Sequence, residues 1–259
     1  MAQTIAFAGK GGTGKTTIAG LLIDRLTHEG KGPILAVDAD PNSNLNEVLG
    51  VEAGQTLGEI REAIAHAELD GASTLPTGVS KQDYAEFSFG DALLEAGSYD
   101  LLVMGRTQGQ GCYCYVNGLL KTLIAKYARD YEYIVVDNEA GLEHISRGIL
   151  PKMDVLLLVS DCSRRGVQAA GRLGVMADEL GLRPQTVGLI INRAPGSLRE
   201  DLDPGIREEI ALQKLGCIGV VPSDETVYHY DAEGRPTVSL PSDNPVRRAV
   251  DAIGKKLGL

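Results

Sequence analysis

The chain has 259 residues, 43% hydrophobic and 23% charged, which suits one large α/β domain, residues 1–259, with a sizeable core. A formal net charge of −10 argues against general binding to a nucleic-acid backbone or to anionic lipid. No apolar run approaches the ~20 residues of a membrane span, and four cysteines at this length do not make a secreted disulfide framework.

The N-terminus runs almost at once into a core strand, so no signal peptide is expected and the location expected is cytoplasmic. That strand is Thr4–Ala8, a continuous apolar run. Gly9-x4-Gly14-Lys15-Thr16 follows and fits the phosphate-loop spacing, with Thr16–Glu29 reading as the helix behind it. Glycines let successive backbone N–H groups converge on phosphate oxygens at a helix N-terminus. Lys15 would neutralise the β- and γ-phosphates, and the Thr16 hydroxyl would ligate Mg²⁺. Gly9-x-Gly11-x-x-Gly14 also satisfies the dinucleotide fingerprint, with Asp38 where a ribose-binding acid would sit. Lys15 and Thr16 separate the two readings, because a triphosphate with Mg²⁺ needs both and a dinucleotide turn needs neither.

The next expected strands are Ile34–Val37, Leu101–Met104, Tyr133–Asp137, Val155–Val159, Val187–Asn192 and Ile218–Val221. Most are unbroken Val/Ile/Leu runs, as parallel strands covered on both faces require. Helical patterns lie between and after them at Leu119–Arg129, Ser163–Leu180, Pro204–Leu215 and Pro245–Leu257. The alternation predicts a doubly wound, mainly parallel sheet with helices on both faces, which binds ligands beyond the carboxyl ends of its strands; together with the phosphate loop this is the pattern of a P-loop NTPase. Residues 50–98 are the least regular, with a possible helix at Thr56–Ala67 and a surface loop at Glu68–Ser80.

Two strand ends carry acids. Ile34–Val37 runs into Asp38-Ala39-Asp40, where one acid can support Mg²⁺ through water and the other can orient an attacking water. Either could instead cap a helix or begin a turn. Tyr133–Asp137 ends in Asp137-Asn138-Glu139-Ala140-Gly141, a buried strand holding a carboxylate toward the metal, with Gly141 able to bring an N–H to the γ-phosphate.

Lys10 follows the first loop glycine, giving Lys-Gly-Gly-Thr-Gly-Lys-Thr-Thr over Lys10, Gly11, Gly12, Thr13, Gly14, Lys15, Thr16 and Thr17. This resembles the deviant Walker A of the MinD/ParA/nitrogenase-iron-protein class of dimeric ATPases, over almost the whole chain. The resemblance implies that Lys10 reaches across a two-fold interface to the partner's nucleotide. It further implies that Asp40 positions the hydrolytic water, Asp38 supports Mg²⁺ and Asp137 is a second-shell Mg²⁺ acid. Asn192 matches the asparagine that reads the adenine edge, and Pro222-Ser223-Asp224 matches the Pro-x-Asp loop beside the base. Glu139 departs from the class, where many members have proline.

Of the cysteines, Cys162 and Cys217 border strands and read as small buried apolar residues. Cys112-x-Cys114 differs, because it lies in a glycine-rich turn at a helix start, where a thiolate is favoured. Two thiolates cannot close a tetrahedral site, but a two-fold dimer would supply four, suited to Zn²⁺ or to Ni²⁺. A redox dithiol is the rival, although its usual spacing is C-x-x-C. Met104-Gly105-Arg106, Gly111-Cys112-Tyr113-Cys114-x-x-Asn117 and Asp137-x-x-Ala140-Gly141-x-Glu143-His144 resemble the CooC/AcsF subgroup. Those are nickel-maturation ATPases for carbon monoxide dehydrogenase and acetyl-CoA synthase. The resemblance implies an ATP- and Mg²⁺-dependent homodimer that holds Ni²⁺ (or Zn²⁺) between paired Cys112 and Cys114 and serves a client nickel enzyme; the chain's acidity and the C-x-C turn weigh against a nucleic acid or membrane partner. His144 reads as structural. A positioning ATPase that binds membrane or DNA is the alternative, motivated by Arg247, Arg248, Lys255 and Lys256 in the last helix. A reductase with an interfacial Fe–S cluster is a third reading, weakened by the lack of a cysteine near Asp137.

Overall fold

Alternation along each strand decides how the sheet is covered. In the computed structural model, which describes residues 2–40, 42, 44–69, 78–105, 114–141, 153–196 and 202–259, strand β1 (Gln3–Gly9) points Ile5 and Phe7 to one face. Ala6 and Ala8 point to the other. β1 lies centrally, parallel to β5 (Tyr133–Asn138) on one side and β6 (Val155–Asp161) on the other. Beyond β5 lie β2 (Ile34–Ala39), β4 (Asp100–Val103) and then β3 (Leu93–Glu95), which is antiparallel. Beyond β6 lie β7 (Thr186–Ala194) and β8 (Cys217–Pro222), both parallel. The chain moves from β1 outward to β2 on one side and later crosses to β6 on the other. The switch point of the sheet is therefore at the end of β1.

Helix α1 (Lys15–His28), the short α2 (Leu45–Leu49) and α9 (Pro245–Leu257) cover the face of Ile5 and Phe7. The opposite face is covered by α3 (Leu57–Leu69), α4 (Lys81–Ala92), α5 (Cys114–Tyr127), α6 (Arg164–Glu179) and α7 (Pro204–Leu212). α8 (Glu225–Ala232) follows β8 and sends Tyr230 into the first core. No helix among the described residues is long and apolar enough to cross a membrane.

The expected strands and helices are present, with ends shifted by a few residues. Within the irregular stretch, α4 forms behind Ser80, whose hydroxyl accepts the Asp83 N–H at 3.1 Å. It buries only Ala85, Ser88, Phe89 and Ala92, too few apolar positions to show a helical period. Glu68 and Leu69 extend α3 instead of opening the expected surface loop, and residues 70–77 lie outside the described residues. Cys162 and Cys217, expected to be buried, are only partly so; burial nonetheless raises both thiols above the ordinary range.

In α9, Val246, Val250 and Ile253 form an i, i+4, i+7 stripe that is buried in the core. Arg247 does not project freely, because both of its terminal nitrogens reach Asp24 Oδ2 on α1 at 2.6 Å. The apolar face that a membrane helix would present is here spent on the sheet.

Gly9, at the end of β1, pairs with Val159 on β6. A Cβ there would lie 2.3 Å from the Val159 carbonyl oxygen, a backbone atom that cannot rotate away. Gly9→Ala is expected to lower stability by about 2 kcal/mol through overpacking, read as a lower urea midpoint at unchanged m-value.

Candidate functional site

The loop after β1 is shaped by its glycines and held by one long-range bond. Gly12 and Gly14 have φ of 76° and 87°, the left-handed region that a side chain resists. The Thr13 hydroxyl donates to the Lys10 carbonyl at 2.9 Å, closing the turn on itself. Asn192, buried at the end of β7, donates its side-chain amide to the Thr13 carbonyl at 2.7 Å. A Cβ on Gly14 would lie 2.3 Å from that same amide nitrogen. Helix α1 then begins with neither a side-chain cap nor an acid in its first turn. Its first N–H groups and its positive dipole end are left for an anion.

Lys15 is buried, and burial lowers its pKa below the ordinary value against the pull of Asp137, Asp40 and Glu139. Asp38 and Asp137 sit side by side in register on β2 and β5, both fully buried. Burial pushes Asp38 up to about 6. Its Oδ1 accepts the Asp40 N–H at 3.0 Å and its Oδ2 accepts the Leu45 N–H at 2.9 Å, so it anchors the turn into α2. Burial pushes Asp137 up to about 7, with the Thr16 hydroxyl bonded to its carboxylate. Asp137 Oδ1 has no hydrogen-bond partner. An orphaned, buried carboxylate oxygen next to the Thr16 hydroxyl is the donor set a hard cation takes, and Mg²⁺ fits it.

Gly11, Gly12, Gly14, Lys15, Thr16 and Thr17 line one wall of a cavity of about 540 Å³, within the range of nucleotide-sized pockets. Asp40 and Glu139 also line it. Lys10 is exposed at the loop, and Gly141, at φ 127°, ends the described part of the β5 turn. Other predicted positions lie elsewhere. Asn192 is engaged with the loop from behind. Pro222 closes β8, and Asp224 caps α8 by accepting the Thr226 N–H at 2.9 Å. Cys112, Tyr113 and His144 lie outside the described residues, and Cys114 is the first residue of α5. Among the described residues no three His, Cys, Asp or Glu side chains converge as a metal site.

The sequence reading missed the rest of the wall, including Glu47 and Val48 from α2, Arg193 from β7, and Asp231, Arg235 and Thr237 around the end of α8. Arg193 directly follows Asn192 and was findable; the 231–237 segment carries no motif.

Residues 4–238 match the sequence profile of the CobQ/CobB/MinD/ParA nucleotide binding domain. The chain belongs to that family. An ATP-binding protein of Methanocaldococcus jannaschii is 40% identical over 253 residues, covering 98% of this chain and 97% of that protein. The carbon monoxide dehydrogenase accessory protein CooC of Rhodospirillum rubrum is 30% identical over 241 residues, covering 89% of this chain and 87% of that protein. The fold is shared with the cell division ATPase MinD of Pyrococcus furiosus, at TM-score 0.70 and 22% identity over 100% of this chain and 99% of that one. It is shared equally with a ParA family ATPase of Chlorobium tepidum, at TM-score 0.72 and 21% identity over 100% of both chains. The protein is an ATPase of this MinD/ParA type, and the cavity beside Lys15 is where its phosphate loop faces.

Both buried acids have folded pKa values above the ordinary aspartate value of 3.8. The folded, ligand-free protein therefore favours their protonated forms, and that contribution to stability is full below pH 3.8 and lost as pH rises through about 6 and 7. In EDTA without nucleotide, Asp137→Asn is expected to raise the melting temperature at pH 8 and to flatten its decline between pH 4 and 8, as scanning calorimetry would register. An unchanged pH profile would contradict the burial assignment.

Proposed function

We propose that this ATPase is a nickel metallochaperone for a client enzyme of the carbon monoxide dehydrogenase or acetyl-CoA synthase kind, acting as a homodimer. The observation that carries the reading is the 30% identity to CooC along 89% of the chain, in a sequence that also holds Cys112-Tyr113-Cys114. The cargo is the metal, held by four thiolates when two chains meet, and Ni²⁺ is preferred to Zn²⁺ on the ground of that relative.

The roles follow from the site. Lys15 and the uncapped N-terminus of α1 hold the β- and γ-phosphates. Thr16 and Asp137 would hold Mg²⁺, which supplies charge neutralisation between those phosphates when bound. Asp40 orients the attacking water, and Lys10, exposed at the loop, contacts the nucleotide of the second chain. Asn192 supports the loop from behind through the Thr13 carbonyl, and the Pro222–Asp224 loop flanks the base from the β8 side.

A backbone hydrogen bond joins the strand of the acids to the chain that runs on to the cysteines. The Met104 N–H donates to the Asp38 carbonyl at 2.8 Å, and the Met104 carbonyl accepts the Gly58 N–H at 2.8 Å. The chain leaving β4 toward Cys112 thus starts from a backbone bond to the residue that anchors the turn at Asp40. A change of a few kcal/mol in the phosphate-side turn would be enough to favour one arrangement of that exit over another.

Anaerobic metal titration with mass measurement is expected to find one Ni²⁺ per two chains with ATP, and none in Cys112→Ala or Cys114→Ala. Full metal binding in both variants would remove the cysteines from the proposal. Lys10→Ala is expected to bind ATP as a monomer and to hydrolyse it at least ~tenfold more slowly; wild-type turnover would count against a cross-interface lysine. The MinD-like alternative is weaker, because the stripe of Val246, Val250 and Ile253 is already buried. Sedimentation with anionic liposomes is expected to leave the protein in the supernatant with or without ATP.

A further inference from the structure

The phosphate loop and its acids account for one wall of the cavity; the wall formed by the end of α8 and the segment after it has been given no role. Arg235 belongs to that wall. Its guanidinium lies over the ring of Tyr230, with Cζ 3.8 Å from the ring centroid. Arg235 Nη2 donates to the Tyr230 hydroxyl at 2.9 Å, and the hydroxyl in turn donates to the Ser239 carbonyl at 3.4 Å. Glu233 Oε2 lies 3.6 Å from Nη1 on the same side chain. Tyr230 itself is buried in the core beneath α1 and α9, so the ring is a fixed support.

A guanidinium held in this way is a planar cation fixed over an aromatic ring. Its side chain remains 51% exposed, and it borders the cavity. A planar guanidinium stacks on π-systems, which an ammonium does not. Phosphate recognition would instead use its N–H edge, and here that edge is partly taken up by the Tyr230 hydroxyl and Glu233. On the other wall Lys15 and Thr16 stand where the proposed phosphate end lies. The remaining part of a nucleotide is the nucleoside, and its only large flat group is the base.

We propose that Arg235, fixed over Tyr230, is the platform on which the base of the bound nucleotide stacks. The inference rests on the cavity being the ATP site. Stacking is tolerant of base identity, because every purine presents a π-face. Arg235 therefore contributes affinity for the nucleoside without choosing adenine over guanine.

The test compares three ligands by isothermal titration with Mg²⁺: ATP, GTP and inorganic tripolyphosphate, the last reporting the phosphate loop alone. Arg235→Ala is expected to weaken ATP and GTP by about tenfold each, in the same proportion, and to leave tripolyphosphate unchanged. Arg235→Lys, which keeps the charge and loses the plane, is expected to behave like Arg235→Ala. The inference is overturned if Arg235→Ala binds ATP as wild type does, if it weakens tripolyphosphate as much as ATP, or if Arg235→Lys restores full affinity. Wild-type protein that binds neither ATP nor tripolyphosphate would overturn the assignment of the cavity itself. Arg235 is at the surface, and a melting temperature equal to wild type in both variants confirms that the comparison is between folded proteins.

Discussion

Two carboxylates buried side by side, with a buried lysine acting on one of them, set the terms for the rest of this protein. Asp38 and Asp137 occupy paired positions on β2 and β5, two strands and one strand away from β1, and burial raises both. Such a group is costly unless it is hydrogen-bonded or paired. The two acids meet that cost in different ways. Asp38 gives both oxygens to backbone amides of Asp40 and Leu45 and so becomes a fastener for the turn into α2. Asp137 keeps Oδ1 without a partner. The imbalance is local, and a cation with a bound polyphosphate is the form of ligand that removes it.

The fastening by Asp38 has consequences away from the phosphates. It places the N-terminus of α2, and α2 in turn sets Val48 against α1 at Gly20, where a Cβ would lie 2.3 Å from Val48 Cγ1. At its far end, Gly50 meets Pro236 closely enough that a Cβ would come within 2.7 Å of the ring. Pro236 is the neighbour of Arg235, which lines the cavity. The turn that feels the phosphates and the segment that borders the rest of the cavity are therefore joined through one short helix with no slack at either end. Interiors packed this closely move between discrete arrangements and do not deform smoothly.

How much of this was legible in the sequence depended on whether a residue acts through its neighbours in the chain or through space. The parallel strands were legible because burial on both faces leaves an unbroken apolar run, as in Val155–Val159. Lys15 and Thr16 were legible because a helix start next to glycines already fixes what they can touch. α4 was not, since its helical face buries few apolar residues and its surface exposes Phe87. Arg235 was not legible either, because its orientation is decided by Tyr230, Glu233 and Ser239 only after α8 has folded. The tie of Asn192 to the loop could not be foreseen for the same reason, being a bond between residues 179 apart.

Asn192 also shows why the loop can remain poised when no ligand is bound. A run with two left-handed glycines would be expected to sample many conformations, and the positive end of α1 offers it nothing to hold. The Asn192 amide supplies one fixed donor to the Thr13 carbonyl from within the sheet, and Thr13 itself is buried. The loop is thus tethered on its protein side, by a bond that a ligand on the cavity side need not displace. Lys10 stands outside that tether, exposed at the first bend of the loop. Within one chain the loop is already supported from behind and lined from the front, so an exposed lysine at its rim adds most where a second surface comes to face it.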